Sequence, residues 1–375
     1  MSVNTYPKSM LTSSKLTAYS SISTKPTKRR RQIGGLKHSC SPSSTLSTQL
    51  STSKMNSMKY QVGIATAGVL LTGILYRGYR QTSCKVHKIV DTCVKADDIV
   101  VPDKNTLQQK LERIKQGGYS NLQVIADFDR TITHAKVNGK MGASCHGVIE
   151  SLSSLTPEYK AATGALFDKY FPIETCATRT REDKIPLMYE WYTQAHNLLL
   201  QEHFTEENIA DAVREANLAL REGWVPVMST LQANNVPLLV FSAGIANVIH
   251  EVFAQKFGPV TDSTHIVSNW IKFDNAGKMT SFSEPLIHMF NKDSSQTRGS
   301  SYAASVVERT NAILLGDGLG DVTMADGIPH EVVLKVGFLN DKVEALLPKY
   351  KQIYDVIILN DGSMSFVESL LESLE

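Results

Sequence analysis

Runs of apolar residues without polar alternation recur along the chain from about residue 120 onwards, and helical patterns separate them. Such a run is typical of a strand that is buried on both faces, as the central strands of parallel sheets are. Five runs have this character: Leu122–Ala126, Val236–Phe241, Asn311–Leu315, Val332–Val336 and Asp355–Leu359. Because helical stretches alternate with them, the pattern predicts an α/β fold built on a doubly wound parallel sheet.

Two shorter patterns complete the predicted core. Thr106–Gln116 is predicted as a helix, because its pattern ends at the glycine pair Gly117-Gly118, which suits a helix C-cap. His265–Phe273 and Lys278–Phe282 are predicted to pair as a hairpin across the polar turn between them.

Helical signals fill the long interval between the first two predicted strands. Thr156-Pro157 and Thr205-Glu206-Glu207 are typical helix starts. An apolar stripe at spacings of three and four includes Trp191 and Tyr192, which either pack between helices, the default interpretation, or stack on a substrate base. The pattern predicts a helical cap at residues 151–234, inserted after the first strand of a core made of residues 100–150 and 235–375.

Acidic residues follow two of the predicted strands directly. Asp127 and Asp129 come after the first strand, and Asp317 and Asp321 lie in the loop after Asn311–Leu315. Open α/β sheets bind ligands at the carboxyl ends of their strands. Carboxylates this close repel one another unless a cation lies between them, so the pattern indicates a metal site or an acid/base pair. The alternative is a strand-terminating turn, in which aspartate is common.

The amino-terminal region differs sharply in charge from the rest. Residues 1–90 contain 14 of the 39 Lys and Arg residues and no Asp or Glu, so the remainder is acidic overall. Residues 1–57 are rich in serine and threonine and show no apolar period, which predicts a disordered basic tail. A transit peptide, or sequence upstream of a start at Met55 or Met58, are the alternatives.

Residues 58–80 are predicted to be a membrane anchor or targeting segment. Tyr60–Tyr76 holds 17 residues without a charge, slightly short for crossing a bilayer as a helix, so the anchor is marginal. The five cysteines are scattered and form no disulfide or zinc pattern, which favours a reducing compartment for the folded part.

The ordered set of acidic, serine and lysine motifs resembles the signature of the haloacid dehalogenase superfamily of phosphatases. Its parts are Asp127-Phe128-Asp129-x-Thr131, Ser242, Lys292 and Gly316-Asp317-x-x-x-Asp321. Further segments resemble the pyrimidine 5'-nucleotidases, the cytosolic 5'-nucleotidase III family: Lys140, Cys145-His146, Glu190–Thr193, Phe241–Ile245, Phe290–Lys292, Leu314–Asp317 and Met324–Gly327. The similarity runs from about Val100 to the carboxyl terminus, and it implies a haloacid dehalogenase-like core with a cap.

The resemblance implies a role for each matching residue. Asp127 is expected to be the nucleophile that becomes an aspartyl phosphate, and Asp129 the acid that protonates the leaving group and later activates water. Mg²⁺ is expected on Asp127, the main-chain carbonyl of Asp129 and Asp317.

The remaining expected roles lie around that centre. Asp321 and Thr131 are expected to support the metal cluster from nearby. Ser242, the Ala243 amide and Lys292 are expected to hold the phosphate, although lysine in a polar stretch is normally solvated surface.

Two positions in the cap bear on the substrate. Glu174 stands where the family's glutamate contacts the nucleobase, whereas Ala195 replaces a serine that the family uses near the phosphate. The expected function is Mg²⁺-dependent hydrolysis of nucleoside 5'-monophosphates such as CMP, UMP and 7-methyl-GMP.

Other functions and partners are weighed against this expectation. The alternatives are a phosphatase of the same superfamily acting on phosphoserine or sugar phosphates, and a membrane-tethered scaffold without activity. We expect a monomer with a cytoplasmic catalytic domain, no nucleic-acid partner, and membrane contact, at the endoplasmic reticulum, only through residues 60–76.

Overall fold

The structure is a computed structural model that describes residues 86–92, 96–176 and 178–374. The basic tail at residues 1–57 and the predicted anchor at residues 58–80 lie outside the described residues. In the part of the chain that the structure describes, no helix is both long enough and apolar enough to cross a membrane. Cys145 and Cys176 are free thiols there.

A seven-stranded sheet forms the centre of the fold, with the spatial order β1-β11-β10-β9-β2-β5-β6. Six of these strands run parallel, and β1 pairs antiparallel with β11 at one edge. The strands are β1 (Ile99–Val100), β2 (Leu122–Ala126), β3 (Lys136–Val137), β4 (Lys140–Met141), β5 (Leu238–Ile245), β6 (Thr264–Asn269), β7 (Ile271–Phe273), β8 (Met279–Phe282), β9 (Asn311–Gly316), β10 (Val332–Leu339) and β11 (Val356–Leu359). The predicted α/β fold with a parallel sheet is confirmed.

Helices cover the sheet and build the insertion after β2. They are α1 (Lys104–Gly117), α2 (Cys145–Glu150), α3 (Pro157–Glu174), α4 (Arg181–Gln201), α5 (Glu207–Glu215), α6 (Trp224–Ala233), α7 (Ala246–Lys256), α8 (Ser301–Ser305), α9 (Val343–Tyr350) and α10 (Ser365–Glu372). A further short helix spans residues 86–92. The predicted first helix is confirmed as α1: Asp103 caps its start through Asn105 and Thr106, and Gly118 ends it at φ 59°.

Apolar side chains fill both faces of the sheet, as the unbroken apolar runs predict. Along β2, Val124 faces one buried cluster together with Leu111 of α1, and Ile125 faces the other together with Tyr350 and Tyr354. All five residues of β2 are buried. This central strand is therefore fixed from both sides, and the loop that follows it starts from a rigid base.

The insertion after β2 contains α3, α4 and α5. Thr156 caps α3 by accepting a hydrogen bond from the amide of Tyr159, with Pro157 in the first turn. The predicted start near Thr205 is confirmed by α5, which begins at Glu207. Helix α6, which lies within the range predicted for the cap, packs against α10.

The predicted hairpin is wrong in its first half. Thr264–Asn269 is a strand of the main sheet, parallel to β5, and only Ile271–Phe273 pairs antiparallel with Met279–Phe282. A short apolar run pairs equally well in a hairpin or in a parallel sheet, and only the distant β5 decides between them.

The chain leaves the core and returns to it along two antiparallel segments. Thr133 and Leu220 form an isolated bridge. The amide of His134 donates to the carbonyl of Ala219 at 3.0 Å, and the amide of Arg221 donates to that of Ile132 at 2.8 Å. The two ends of the insertion are therefore hydrogen-bonded neighbours.

Candidate active site

The loop after β2 places two carboxyl groups at the carboxyl edge of the sheet. The amide of Asp127 donates to the carbonyl of Leu315 on β9 at 3.0 Å, which fixes the first of them. The backbone then turns sharply, because Arg130 adopts the left-handed conformation with φ 63°. The amide of Arg130 donates to Thr133 Oγ1 at 2.9 Å and closes the turn.

Lys292 joins the two acidic loops at this edge. Its Nζ lies 2.7 Å from Asp127 Oδ1 and 2.6 Å from Asp321 Oδ1. Lys292 is only 3% exposed, so it is not the solvated surface residue that its polar neighbourhood suggests. Burial lowers the pKa of Lys292, but attraction to Asp127 and Asp321 outweighs it, so the pKa is raised and the ammonium stays charged.

Three carboxylates converge at the same place. Oxygens of Asp127, Asp317 and Asp321 lie within 4.8 Å of one another, an arrangement that could hold a metal ion. Asp321 is fixed by the amide of Gly318, which donates to Oδ2 at 2.8 Å. Only glycine fits at position 316, because a Cβ atom there would lie 2.5 Å from Cβ of Asp321.

The electrostatics of this group favour a cation. Burial raises the pKa of Asp127 to about 7, with Lys292 opposing and Asp321 adding to the rise. Burial also raises the pKa of Asp317 well above its usual value, and repulsion from Asp127 and Asp321 raises it further. A single ammonium does not balance three carboxylates, two of which are buried and one half-buried. Clustered carboxylate oxygens are ligands that suit Mg²⁺, so the residues present fit such an ion.

The side chain of Asp129 is not one of these three carboxylates. Its Oδ1 accepts a hydrogen bond from the amide of Cys145 at 2.9 Å, at the first residue of α2. Burial raises the pKa of Asp129 despite the opposing hydrogen bonds from Cys145. A carboxyl group with a raised pKa holds a proton more readily near neutral pH, which suits a general acid.

The end of β5 supplies a serine and two small residues. Ser242 is buried, and its Oγ accepts a hydrogen bond from the amide of Gly244 at 3.0 Å. The carbonyl of Ala243 accepts from Asn269 Nδ2 at 3.0 Å. Thr131 is also buried, and its Oγ1 has no hydrogen-bond partner among the described residues.

The cap contributes Glu174 and several aromatic rings. Glu174 is the last residue of α3, and burial raises its pKa to about 7, with Arg130 and Lys184 opposing. Trp191 stacks on Tyr170 with ring centroids 5.7 Å apart, as the packing interpretation predicts. Tyr192 instead contacts rings of the core, with centroids 5.5 Å from His146 and 6.5 Å from His288. Ala195, on the same helix, is half-buried.

Sequence reasoning missed Asn269, which ties two parts of the site together. Its Nδ2 donates to the carbonyls of Ala243, Gly244 and Ile287, and its Oδ1 accepts from the amide of Ile287 at 2.9 Å. Asn269 thereby fixes the turn that carries Ser242 to the segment that leads to Lys292. Asparagine is unfavourable in strands, so a buried one at the end of β6 was the available signal.

Arg221 was missed as well, and no local pattern marks it. It is almost completely buried, with 1% of its surface exposed. Its guanidinium reaches the loop that carries Asp129, where it bonds carbonyl groups. The residues that match the predicted motifs thus depend on partners that no motif contains.

Comparison with known proteins identifies the family of the chain. The family model described as pyrimidine 5'-nucleotidase (UMPH-1) matches residues 130–375. A human protein named 7-methylguanosine phosphate-specific 5'-nucleotidase is 40% identical over 288 residues, which cover 76% of this chain and 95% of that protein. A Caenorhabditis elegans protein named putative cytosolic 5'-nucleotidase 3 is 35% identical over 282 residues, with 74% and 75% covered.

A solved structure of a related protein is also similar to this chain. The crystal structure of cytosolic 5'-nucleotidase IIIB bound to cytidine has a TM-score of 0.68 and 30% identity, and the match covers 75% of this chain and 95% of that one. The chain therefore belongs to the pyrimidine 5'-nucleotidase (UMPH-1) family, and it is a 5'-nucleotidase of the haloacid dehalogenase superfamily.

Proposed function

We propose that this nucleotidase hydrolyses CMP, UMP and 7-methyl-GMP through an aspartyl phosphate on Asp127. The observation that carries the proposal is the buried Lys292, which contacts both Asp127 and Asp321 at the edge where three carboxylates meet. A carboxylate attacks a phosphate dianion only when positive charge cancels the repulsion. The carboxyl edge of the sheet provides one positive charge, the ammonium of Lys292, and carboxylate ligands for a second, a metal ion.

Mg²⁺ would be held by Asp127, Asp317 and the main-chain carbonyl of Asp129, with Asp321 and Thr131 supporting them. When bound, the ion would supply positive charge next to the transferring phosphoryl group. Lys292, the hydroxyl of Ser242 and the amide of Ala243 would bind the phosphoryl oxygens and orient the phosphorus atom towards Asp127.

Proton transfer is assigned to Asp129. In the first step a carboxylate oxygen of Asp127 forms a bond to phosphorus, and the bond from phosphorus to the nucleoside 5'-oxygen breaks. The Asp129 carboxyl group gives its proton to that leaving oxygen. In the second step Asp129, now ionised, takes a proton from the water whose oxygen attacks phosphorus. The bond between phosphorus and the Asp127 oxygen breaks, inorganic phosphate leaves, and Asp127 returns as a carboxylate and Asp129 as a carboxylic acid.

Selection of the base is assigned to the cap. The carboxylate of Glu174 can accept a hydrogen bond from the exocyclic amine of cytosine, which uracil lacks, and it can pair with the cationic ring of 7-methylguanine. The names of the relatives, which refer to pyrimidine and to 7-methylguanosine phosphate, support these two substrate classes. The cytidine bound in the similar crystal structure supports the first.

The test is a panel of phosphate esters assayed with and without Mg²⁺. We expect kcat/KM to be highest for CMP and 7-methyl-GMP, lower for UMP, and lowest for AMP, GMP, phosphoserine and sugar phosphates. Activity should disappear with a chelator and return with Mg²⁺. AMP or phosphoserine as the best substrate would contradict the proposal.

The catalytic domain is proposed to act in the cytosol, in line with the name of the Caenorhabditis elegans relative. Attachment to a membrane through residues 60–76 stays a prediction, because that segment lies outside the described residues. Carbonate extraction of the full-length protein from cell membranes tests it, since release into the supernatant contradicts an integral anchor.

A further inference from the structure

Arg221 is a buried cation next to the loop that follows the nucleophile. It comes directly after the bridge between Thr133 and Leu220, where the insertion returns to the core. Its guanidinium lies against the ring of Phe338, with Cζ 4.3 Å from the ring centroid. Nη1 forms an ion pair with Asp361 Oδ1 at 3.0 Å. Burial lowers the pKa of Arg221 to about 10, with Asp361 opposing, so the group stays charged at neutral pH.

Most of its hydrogen bonds go to one short segment. Nε donates to the carbonyl of Thr131 at 2.7 Å, and Nη2 donates to the carbonyls of Arg130 and, at 3.3 Å, Thr133. The remaining acceptors are the carbonyl of Gly362 and Oδ1 of Asn340, on loops after neighbouring strands. One side chain therefore contacts three carbonyls of the four-residue stretch after Asp129.

This stretch contains an unfavourable backbone conformation. Arg130 has φ 63°. Residues other than glycine adopt this conformation at a cost in free energy and keep it only when the surroundings stabilise it. The carbonyl of Arg130 accepts from Arg221 and also from Asn340 Nδ2 at 3.0 Å. The turn decides the direction of Asp129, the residue immediately before it.

We propose that Arg221 is a positioning residue for the hydrolysis reaction, which holds the turn at Arg130–Thr133 and thereby directs the Asp129 carboxyl group towards the leaving group. A buried ion pair is weak evidence for stability, because desolvation offsets the attraction. The position of its acceptors points instead to the geometry of the catalytic loop. The inference rests on the proposed function in one respect, the role of Asp129 as the acid.

The chain offers a matched control at the opposite end of β2. Arg309 also donates to main-chain carbonyls: Nη1 to Tyr119 at 2.7 Å and Leu122 at 2.8 Å, and Nη2 to Asn235 at 3.0 Å. The carbonyls of Tyr119 and Leu122 lie at the start of β2 and that of Asn235 lies before the start of β5, so all three are at the end of the sheet opposite the acidic loops. Arg221→Lys and Arg309→Lys thus remove the same kind of contact at the two ends of one strand.

The experiment compares both variants on two substrates, CMP and 4-nitrophenyl phosphate, with the melting temperature measured in parallel. The nitrophenolate leaves without help from an acid, so misdirection of Asp129 affects CMP more. We expect Arg221→Lys to lower kcat for CMP by about 10- to 100-fold, the size of a small misplacement of a catalytic group, with a smaller loss for the aryl ester. Arg309→Lys should lower the melting temperature but leave kcat within about twofold.

A double variant separates this inference from the proposed function. If Arg221 acts through Asp129, Arg221→Lys combined with Asp129→Asn should hydrolyse CMP no more slowly than Asp129→Asn alone. Equal losses on both substrates for Arg221→Lys, or equal kcat losses for the two lysine variants, overturn the positioning role. A wild-type enzyme that prefers other esters contradicts the proposed substrate, and the comparison is then made on the preferred ester.

Arg221→Lys could fail to fold, so Asn340→Ala provides a second route to the same turn. Asn340 donates to the carbonyl of Arg130 and accepts from Arg221, but it carries no charge. Asn340→Ala should lower kcat for CMP more than kcat for the aryl ester, as Arg221→Lys does, but by a smaller factor. A uniform loss on both substrates counts against the inference.

Discussion

The carboxyl edge of the sheet and the cap are built from opposite kinds of side chain. At the edge, charged groups are buried and paired, as Lys292 is with Asp127 and Asp321. In the cap, aromatic rings such as Tyr170 and Trp191 stack on one another. The difference separates two tasks. Under the proposed function, the buried charges would fix where phosphate chemistry occurs, whereas the aromatic rings and one carboxyl group of the cap would decide which nucleoside is admitted. Substitutions at the edge should stop the reaction for every substrate, and those in the cap should redistribute activity among substrates.

The largest effect is expected from Asp127→Asn. The amide cannot form the aspartyl phosphate, so hydrolysis of CMP should fall to background while the fold survives, since asparagine keeps the volume of the side chain. Beryllium fluoride with Mg²⁺ should inhibit the wild type by mimicking the aspartyl phosphate. Turnover is measured as phosphate release and the fold by circular dichroism. Asp211→Asn, an exposed acid on α5, is the matched control, and near-normal turnover in Asp127→Asn would end the nucleophile assignment.

Asp129→Asn should have the next largest effect. Without a proton donor for the leaving oxygen, CMP hydrolysis should slow by about 10²-fold or more, the usual size of general acid–base catalysis. An activated aryl phosphate should lose less, because its leaving group needs no proton. The measurement is kcat on both esters, and identical losses would show that Asp129 has a structural role instead.

A cap substitution, Glu174→Gln, should change substrate preference more than overall rate. A charge-assisted hydrogen bond to the amine of cytosine is worth about 1.5–3 kcal/mol, so the CMP to UMP ratio of kcat/KM should fall by roughly 10- to 100-fold. Glu190→Gln, an exposed acid on α4, serves as the control. An unchanged ratio in Glu174→Gln would remove Glu174 from base recognition.

The same residue gives the preference a pH dependence. Because burial raises the pKa of Glu174 to about 7, the carboxylate form dominates only above that pH. The CMP to UMP ratio should therefore increase from pH 6 to pH 8 in the wild type and stay flat in Glu174→Gln. The ionisation of the phosphate group is common to both substrates and cancels in the ratio. A wild-type ratio that is constant across this range would contradict the assignment.

The smallest effect is expected from Ala195→Ser, which introduces the serine that the family uses near the phosphate. If that hydroxyl contributes uniform binding, it should lower KM for CMP by a few-fold and leave kcat unchanged. The measurement is the initial rate as a function of CMP concentration, which gives KM and kcat separately. A change confined to kcat would place the contact in the transition state.

Much of the fold could be predicted because its signals are local. The apolar runs of β2 and β9 end at Asp127 and Gly316, so both the strands and the acids beyond them are visible in the sequence. Strand β1 could not be predicted, since two residues carry no periodicity and their pairing depends on β11. The residues of β6 carry a strand pattern, but their pairing with β5, the strand before the preceding helix, could not be predicted.

The residues of the site likewise fall into those that the local sequence marks and those that only the tertiary structure reveals. Motif spacing marks Asp127 and Lys292, but residue type alone suggests that a lysine is solvated, and only the fold encloses it between acids. Asn269 and Arg221 act on backbone carbonyls, which every residue presents. No side-chain pattern points to Arg221, and Asn269 is marked only by its unfavourable position at a strand end, so the roles of both depend on tertiary structure.

The paired ends of the insertion have a consequence for how such enzymes diverge. Thr133 and Leu220 are joined by this bridge, so the two ends of the insertion stay side by side at the edge of the core. The entropy of closing the intervening loop grows only with the logarithm of its length. Lengthening the segment between Thr133 and Leu220 would therefore add little to this entropy cost, whereas α2 and α5, which lie between the same two points, pack into the core and the first amide of α2 holds Asp129. Under the proposed assignment of base selection to the cap, such changes of length would alter nucleobase preference and leave the phosphoryl chemistry at the edge of the sheet in place.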